Sequence, residues 1–196
     1  MAEITIEQIK KLKELSGVGL TDAKKALVEA NGDFDKALEA MRKKGLTKAE
    51  KRGDRETREG LIESYIHDGR LGAIVEVNCE TSFVAKTDEF KTLAHQIAMQ
   101  VASMNPLYVS EADIPEADMA AKRAELETNF KGPENMKDQI ISGQIKKAFA
   151  DKVLLNQPYI LDDTKTVEQF IKDNIAKTGE NITVRQFKRI ELGVTE

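Results

Sequence analysis

Reactive side chains are scarce in this chain, which has one cysteine, two histidines and no tryptophan among 196 residues. With Cys79 alone, no disulfide can close within the chain, and a reducing compartment is expected. His67 and His95 stand far apart in sequence, and a histidine needs partners before it can act as acid, base or ligand. An ordinary structural role is the reading for both. Zinc-ligand spacing is missing, as is a glycine-rich phosphate loop. Gly17-Val18-Gly19 lacks the third glycine and the preceding strand of a dinucleotide site, so it reads as a helix-breaking turn. Asp162-Asp163 could hold a cation, but a loop carboxylate pair is more often simply solvated. No apolar run approaches the ~20 residues that cross a bilayer, and MAEITIEQIKKLK has no secretory apolar core. These absences lead us to expect no catalytic residues, cofactor, metal site or membrane span, and a cytoplasmic location.

What the chain does have is a globular balance, 40% hydrophobic and 33% charged residues. Its length suits one ordinary domain with a small one beside it. A net charge of −4 does not suggest a nucleic acid partner.

Three short helices are expected first. Thr5 and Gln8 have the spacing of a capping box, and Ile6, Ile9, Leu12 and Leu15 follow as one apolar face. Thr21 or Asp22 caps a second helix with Ala23, Ala26, Leu27 and Ala30 inward, ended by Asn31-Gly32. Asp33 caps a third, burying Phe34, Leu38 and Met41 and stopping at Gly45. Residues 1–45 thus read as a three-helix domain, similar in shape to the ubiquitin-associated type. Residues 46–58 read as a basic linker: Arg42 to Arg58 holds eight Lys or Arg against three Asp or Glu. Such a run is either a solvated connector or a patch for an acidic partner.

The core is expected over residues 59–196. Leu61 to Ile66, the turn Asp68-Gly69 and Leu71 to Cys79 form a β-hairpin. Helices should follow: from Phe90 through Met104, from Pro115 through Met119, Leu126 and Phe130 to Gly132, from Pro133 through Met136 and Ile141 to Phe149, and from Thr166 through Ile175. Ile182 to Leu192 should be a third strand, closing an antiparallel sheet against the helices. Strands and helices without regular alternation make the fold α+β.

Between the hairpin and the helix from Phe90 lies Thr81-Ser82-Phe83-Val84. Ala73, Val75, Val77 and Cys79 alternate as one buried strand face; the period then changes to that of a helix with Leu93, Ala94, Ile97 and Val101. A Phe-Val pair at such a corner either fills its own core or waits for another protein's pocket.

Asn78-Cys79-Glu80-Thr81-Ser82-Phe83-Val84-Ala85 resembles the signature of the elongation factor Ts family, N-C-[EQ]-T-D-F-V-A, with Ser82 where an aspartate is expected. Lys13 to Leu27 resembles that family's opening motif, sharing Gly17, Gly19, Asp22, Lys24, Lys25, Ala26 and Leu27, with Leu20 and Thr21 replacing two methionines. Asn31-Gly32-Asp33, Met41-Arg42-Lys43, Gln157-Pro158-Tyr159 and Gly179-Glu180-Asn181-Ile182 also match, in the family's order.

The resemblance implies a translation factor that binds elongation factor Tu, in GDP-bound and nucleotide-free forms, displaces Mg²⁺ and promotes GDP release. It assigns partner binding and Mg²⁺ dislocation to Thr81, Ser82, Phe83 and Val84, with Phe83 entering an apolar slot between the partner's helices, and has Lys13, Gly19, Leu20 and Thr21 hold the partner's nucleotide domain. Leu20 could equally be a solvent-side leucine. Long family members carry two core copies and this chain has room for one, so it resembles the compact form and a homodimer is possible. Two other readings predict different behaviour: a non-catalytic adaptor binds without altering nucleotide kinetics, and RNA binding through the basic linker depends strongly on salt.

Overall fold

The computed structural model describes residues 4–16 and 19–194, so the turn expected at Gly17-Val18-Gly19 is described only at Gly19. Two compact units divide the chain. One comprises Met1–Glu63, Glu76–Ala94 and Gln169–Val184; the other comprises Ser64–Val75, His95–Glu168 and Arg185–Glu196.

The first unit opens with α1 (Ile6–Ser16), α2 (Leu20–Glu29) and α3 (Phe34–Glu50). The capping box forms as expected: Thr5 N–H donates to Gln8 Oε1 at 3.0 Å, and Gln8 N–H to Thr5 Oγ1 at 3.2 Å. Leu12, Ala23, Ala26, Leu27, Ala37 and Met41 make the core of this trio, with Ile9, Phe34 and Leu38 packed on it. Ile6, however, is 72% exposed and Leu15 is also exposed. Each step of three residues turns about −60° on a helix of 3.6 residues per turn. Three such steps put Leu15 on the opposite side from Ile6, so only the middle of that row faces inward.

α2 begins earlier than expected. Its N-cap is the extended Gly19, so Thr21 and Asp22 lie inside the first turn. Asn31 (φ 52°) and Gly32 (φ 83°) end it in left-handed conformations, and Gly32 N–H donates to Leu27 O at 2.8 Å. Asp33 caps α3 by accepting Lys36 N–H at 3.1 Å. α3 continues past Gly45 to Glu50. One interior glycine costs only about 1 kcal/mol against alanine, too little by itself to end a helix.

The sheet follows. β1 (Glu59–His67) and β2 (Leu71–Cys79) are the expected hairpin, and positive φ at both Asp68 (49°) and Gly69 (64°) matches its twist. Ala73, Val75, Val77 and Cys79 are buried, as their alternation predicts. Gly60 sits at φ 149° against β2, where a Cβ would come 2.1 Å from Val77 O. A single helical turn, α4 (Ser82–Ala85), leads into α5 (Asp88–Met104), which buries Phe90, Leu93, Ala94, Ile97, Ala98, Val101 and Ala102.

In the second unit, α6 (Glu116–Thr128) and α7 (Lys137–Ala150) form a hairpin around Ile141, Ile145 and Phe149. Pro115 is the N-cap of α6 rather than a first-turn residue, and α6 stops at Thr128 rather than Gly132. A 3₁₀ turn at Glu134–Met136 precedes α7. Met104, Met119 and Met136, expected inward, are exposed, because each stands at the margin of its stripe.

A two-stranded ribbon, β3 (Pro158–Tyr159) and β4 (Asp162–Thr166), was not expected; its strands are too short and too polar to show alternation. Asp162 there accepts from Thr164 and pairs with Lys165 at 3.2 Å, the role of a turn residue. α8 (Val167–Thr178) buries Val167, Phe170, Ile171 and Ile175. β5 (Ile182–Glu191) completes the sheet in the order β1-β2-β5. Leu192 N–H donates to Arg70 O at 2.8 Å, so the end of β5 lies beside the start of β2 and the pair is antiparallel. The fold is α+β, an antiparallel sheet packed against helices.

Candidate functional site

Cys79 closes β2, and the chain then turns within three residues. Thr81 is extended (φ −129°, ψ 151°) and caps α4, its Oγ1 accepting the Val84 N–H. Ala85 N–H returns to Thr81 O at 3.3 Å, and Thr87 Oγ1 donates to Val84 O at 2.8 Å. Thr87 in turn caps α5 by accepting Phe90 N–H at 3.2 Å. Two caps in succession therefore fix a turn of four residues between strand and helix.

That turn directs its side chains in opposite senses. Ala85 is 8% exposed and anchors the inner side; Ser82 and Val84 are half-buried. Phe83 is 85% exposed. Of the two alternatives open to a Phe-Val pair at this corner, the ring does not fill its own core.

Beneath the turn, the Cys79 thiol is fully buried and donates from Sγ to Thr81 O at 3.2 Å. Burial first, and the nearby Glu180 charge second, push it up to about 11. The thiol is thus protonated at neutral pH and serves as a small apolar residue with a weak donor.

The corner is tied to a distant segment. Glu180 accepts from Thr81 twice, N–H to Oε2 at 2.9 Å and Oγ1 to Oε1 at 2.6 Å. Glu80 Oε1 accepts Asn181 N–H at 2.6 Å, and Arg55 Nη1 lies 3.3 Å from Glu80 Oε2. The Asn181 amide, followed by Arg55, holds the Glu80 carboxyl below its ordinary value. Asn181 Nδ2 completes the set, donating to Gly53 O at 3.2 Å and Arg55 O at 2.8 Å. Local periodicity could not reveal these partners, since 99 residues separate Thr81 from Glu180. Their one trace in the sequence is the Gly-Glu-Asn run, a motif match to which no role could be given.

Comparison with known proteins bears on this corner and on the rest of the chain. The family model described as "Elongation factor TS" matches residues 3–194. The chain belongs to the elongation factor Ts family. Elongation factor Ts of Thermotoga maritima is 50% identical over 196 residues, covering 97% of each chain. That of Rippkaea orientalis is 51% identical over 199 residues, covering 98% of this chain and 80% of the relative. That of Thermoanaerobacter pseudethanolicus is 47% identical over 194 residues, covering 97% and 95%. Membership makes the chain a translation elongation factor, acting in protein biosynthesis.

The other residues singled out from the sequence are exposed in this family member. Lys13 lies on α1, Gly19 caps α2, and Leu20 and Thr21 open α2, all solvent-facing. The histidines have ordinary neighbours: Tyr65 Oη is 3.0 Å from His67 Nδ1, and His95 meets the Tyr65 ring edge-on at 5.7 Å. Among the described residues, no three His, Cys, Asp or Glu side chains gather as metal ligands. No helix among them is long and apolar enough to cross a membrane.

Proposed function

We propose that this chain is a guanine nucleotide exchange factor for elongation factor Tu, acting by binding rather than by chemistry of its own. The observation that carries the reading is the exposed Phe83 on a turn capped at both ends, within the sequence signature of the family. An exchange factor must bind the nucleotide-free GTPase more tightly than the GDP-bound form, and by the same factor it weakens GDP. Phe83, with Val84 beside it, enters an apolar slot between helices of the partner, shifts the groups that hold Mg²⁺ and opens the nucleotide pocket. Burying such a ring is worth about 1.5–3 kcal/mol, enough for a hot spot. Thr81 and Ser82 present the polar side of the same contact.

In this reading residues 1–45 hold the partner's nucleotide domain through Lys13, Gly19, Leu20 and Thr21, residues 46–58 link, and residues 59–196 carry the wedge. The encounter takes place in the cytoplasm. Release of fluorescent GDP from purified elongation factor Tu tests the proposal: the chain accelerates it, and Phe83→Ala removes about tenfold or more of that acceleration. Binding that leaves GDP release unchanged would instead favour the adaptor reading.

Two copies of the chain are proposed to associate through the open face of the second unit. A side chain at Gly72 would meet Ile66 Cγ1 at 3.7 Å, so the two share a face, and Ile74 lies two residues along the same strand. Both isoleucines are exposed. Light scattering that finds only monomer at working concentration removes this part.

A further inference from the structure

Exchange driven by Phe83 requires the ring to be held in one place, and a helix of four residues cannot hold itself. A single turn fixes several dihedral angles for very few hydrogen bonds. Here the missing hold comes from the opposite end of the core sequence. One carboxylate, Glu180, takes both donors of Thr81, the amide at 2.9 Å and the hydroxyl at 2.6 Å. Because the hydroxyl proton is directed at Glu180, an Oγ1 lone pair is left for Val84 N–H, which is the cap of α4.

The arrangement is crossed. Glu180 takes the amide after Glu80, while Glu80 takes the amide after Glu180. Thr81 and Asn181 are thereby locked in register, and Arg55 neutralises part of the charge from the Glu80 side. These bonds end on Thr81 and on the segment that faces it, next to the turn that carries Phe83.

We propose that Glu180 is a positioning residue for nucleotide exchange, fixing the Thr81 cap and through it the orientation of Phe83. The inference rests on the exchange reading of Phe83. A side chain that orients the wedge without meeting the partner should govern the step after encounter. Its loss lowers the maximal rate of GDP release and leaves the half-saturating concentration of the GDP-bound GTPase nearly unchanged.

The experiment compares full-length protein carrying Glu180→Gln, Glu180→Ala, Phe83→Ala and the two double substitutions, each first checked for unfolding temperature. GDP release is followed over a range of concentrations. Glu180→Ala should lower the maximal rate about tenfold, the scale of a charge-assisted hydrogen bond. Glu180→Gln keeps one acceptor, turns an NH₂ toward the other donor, and should fall between. Neither should lower the rate further once Phe83 is alanine. An equal fall in both backgrounds, a change confined to half-saturation, or no change overturns the proposal. Phe83→Ala at full rate would instead overturn the exchange reading beneath it. Should Glu180→Ala not fold, Glu180→Gln, which keeps the side chain's size, must give the same pattern at smaller amplitude.

Discussion

Gln100 and Gln157 are both fully buried, and Gln100 Nε2 donates to Gln157 Oε1 at 3.1 Å. Gln100 also donates to Pro158 O at 3.1 Å and accepts Ile160 N–H at 2.8 Å. Gln157 Nε2 donates to Asp151 O at 2.7 Å and Met104 O at 3.2 Å. Two amides thus satisfy the backbone where α5 and α7 end and the ribbon begins. Replacing Gln157 by alanine strands several of these groups away from water. The expected loss is about 1–3 kcal/mol in urea unfolding, with GDP exchange at 25 °C unaltered.

Cys79 should resist thiol reagents. Its sulfur is fully buried and its pKa is pushed up to about 11, so thiolate is scarce at pH 8. Reaction with a chromogenic disulfide should be slow in buffer and complete in denaturant. Rapid modification of the folded protein would show that the corner opens readily.

Ser82 stands at the first position of α4 and is half-buried. Ser82→Asp places a negative charge at the amino end of that turn and, in the proposed complex, toward the partner. An effect of about 0.3–1 kcal/mol is the scale for such a charge. Stopped-flow GDP release should therefore accelerate roughly two- to fivefold. An unchanged rate would mean that the neutral hydroxyl and Phe83 suffice.

Acid should loosen the corner through Glu80. Its folded pKa lies below the ordinary 4.5, chiefly because the Asn181 amide, and then Arg55, favour the carboxylate. A depressed carboxyl contributes stability that is fully present above its unfolded value and is lost as pH falls through its folded value. Glu80→Gln should then be less stable than the parent at pH 7, with the gap narrowing below pH 4.5. Chemical denaturation at pH 7 and pH 3 reads this, and an equal gap at both pH values would refute it.

The sequence carried the hairpin clearly because β2 alternates strictly and Asp68-Gly69 admits only a few turns. It carried α5 because seven inward residues recur on one stripe. The outer members of the α1 row misled, since spacing by three drifts around a helix. The ribbon stayed hidden because Pro158-Tyr159 is too short to have a period. Phe83 was legible as an oddity, an aromatic at a junction. Glu180 was legible only as part of a motif, because its partner lies 99 residues away and hydrogen-bond pairing at that range leaves no local pattern.

On α4, the inward residue and the outward residue answer to different requirements. Ala85 is held by the fold, whereas Phe83 contributes almost nothing to it, since 85% of its surface stays in water. A variant lacking the ring should therefore fold, accumulate and escape the proteases that remove unstable chains. On the exchange reading, its defect would surface only in the tempo of translation.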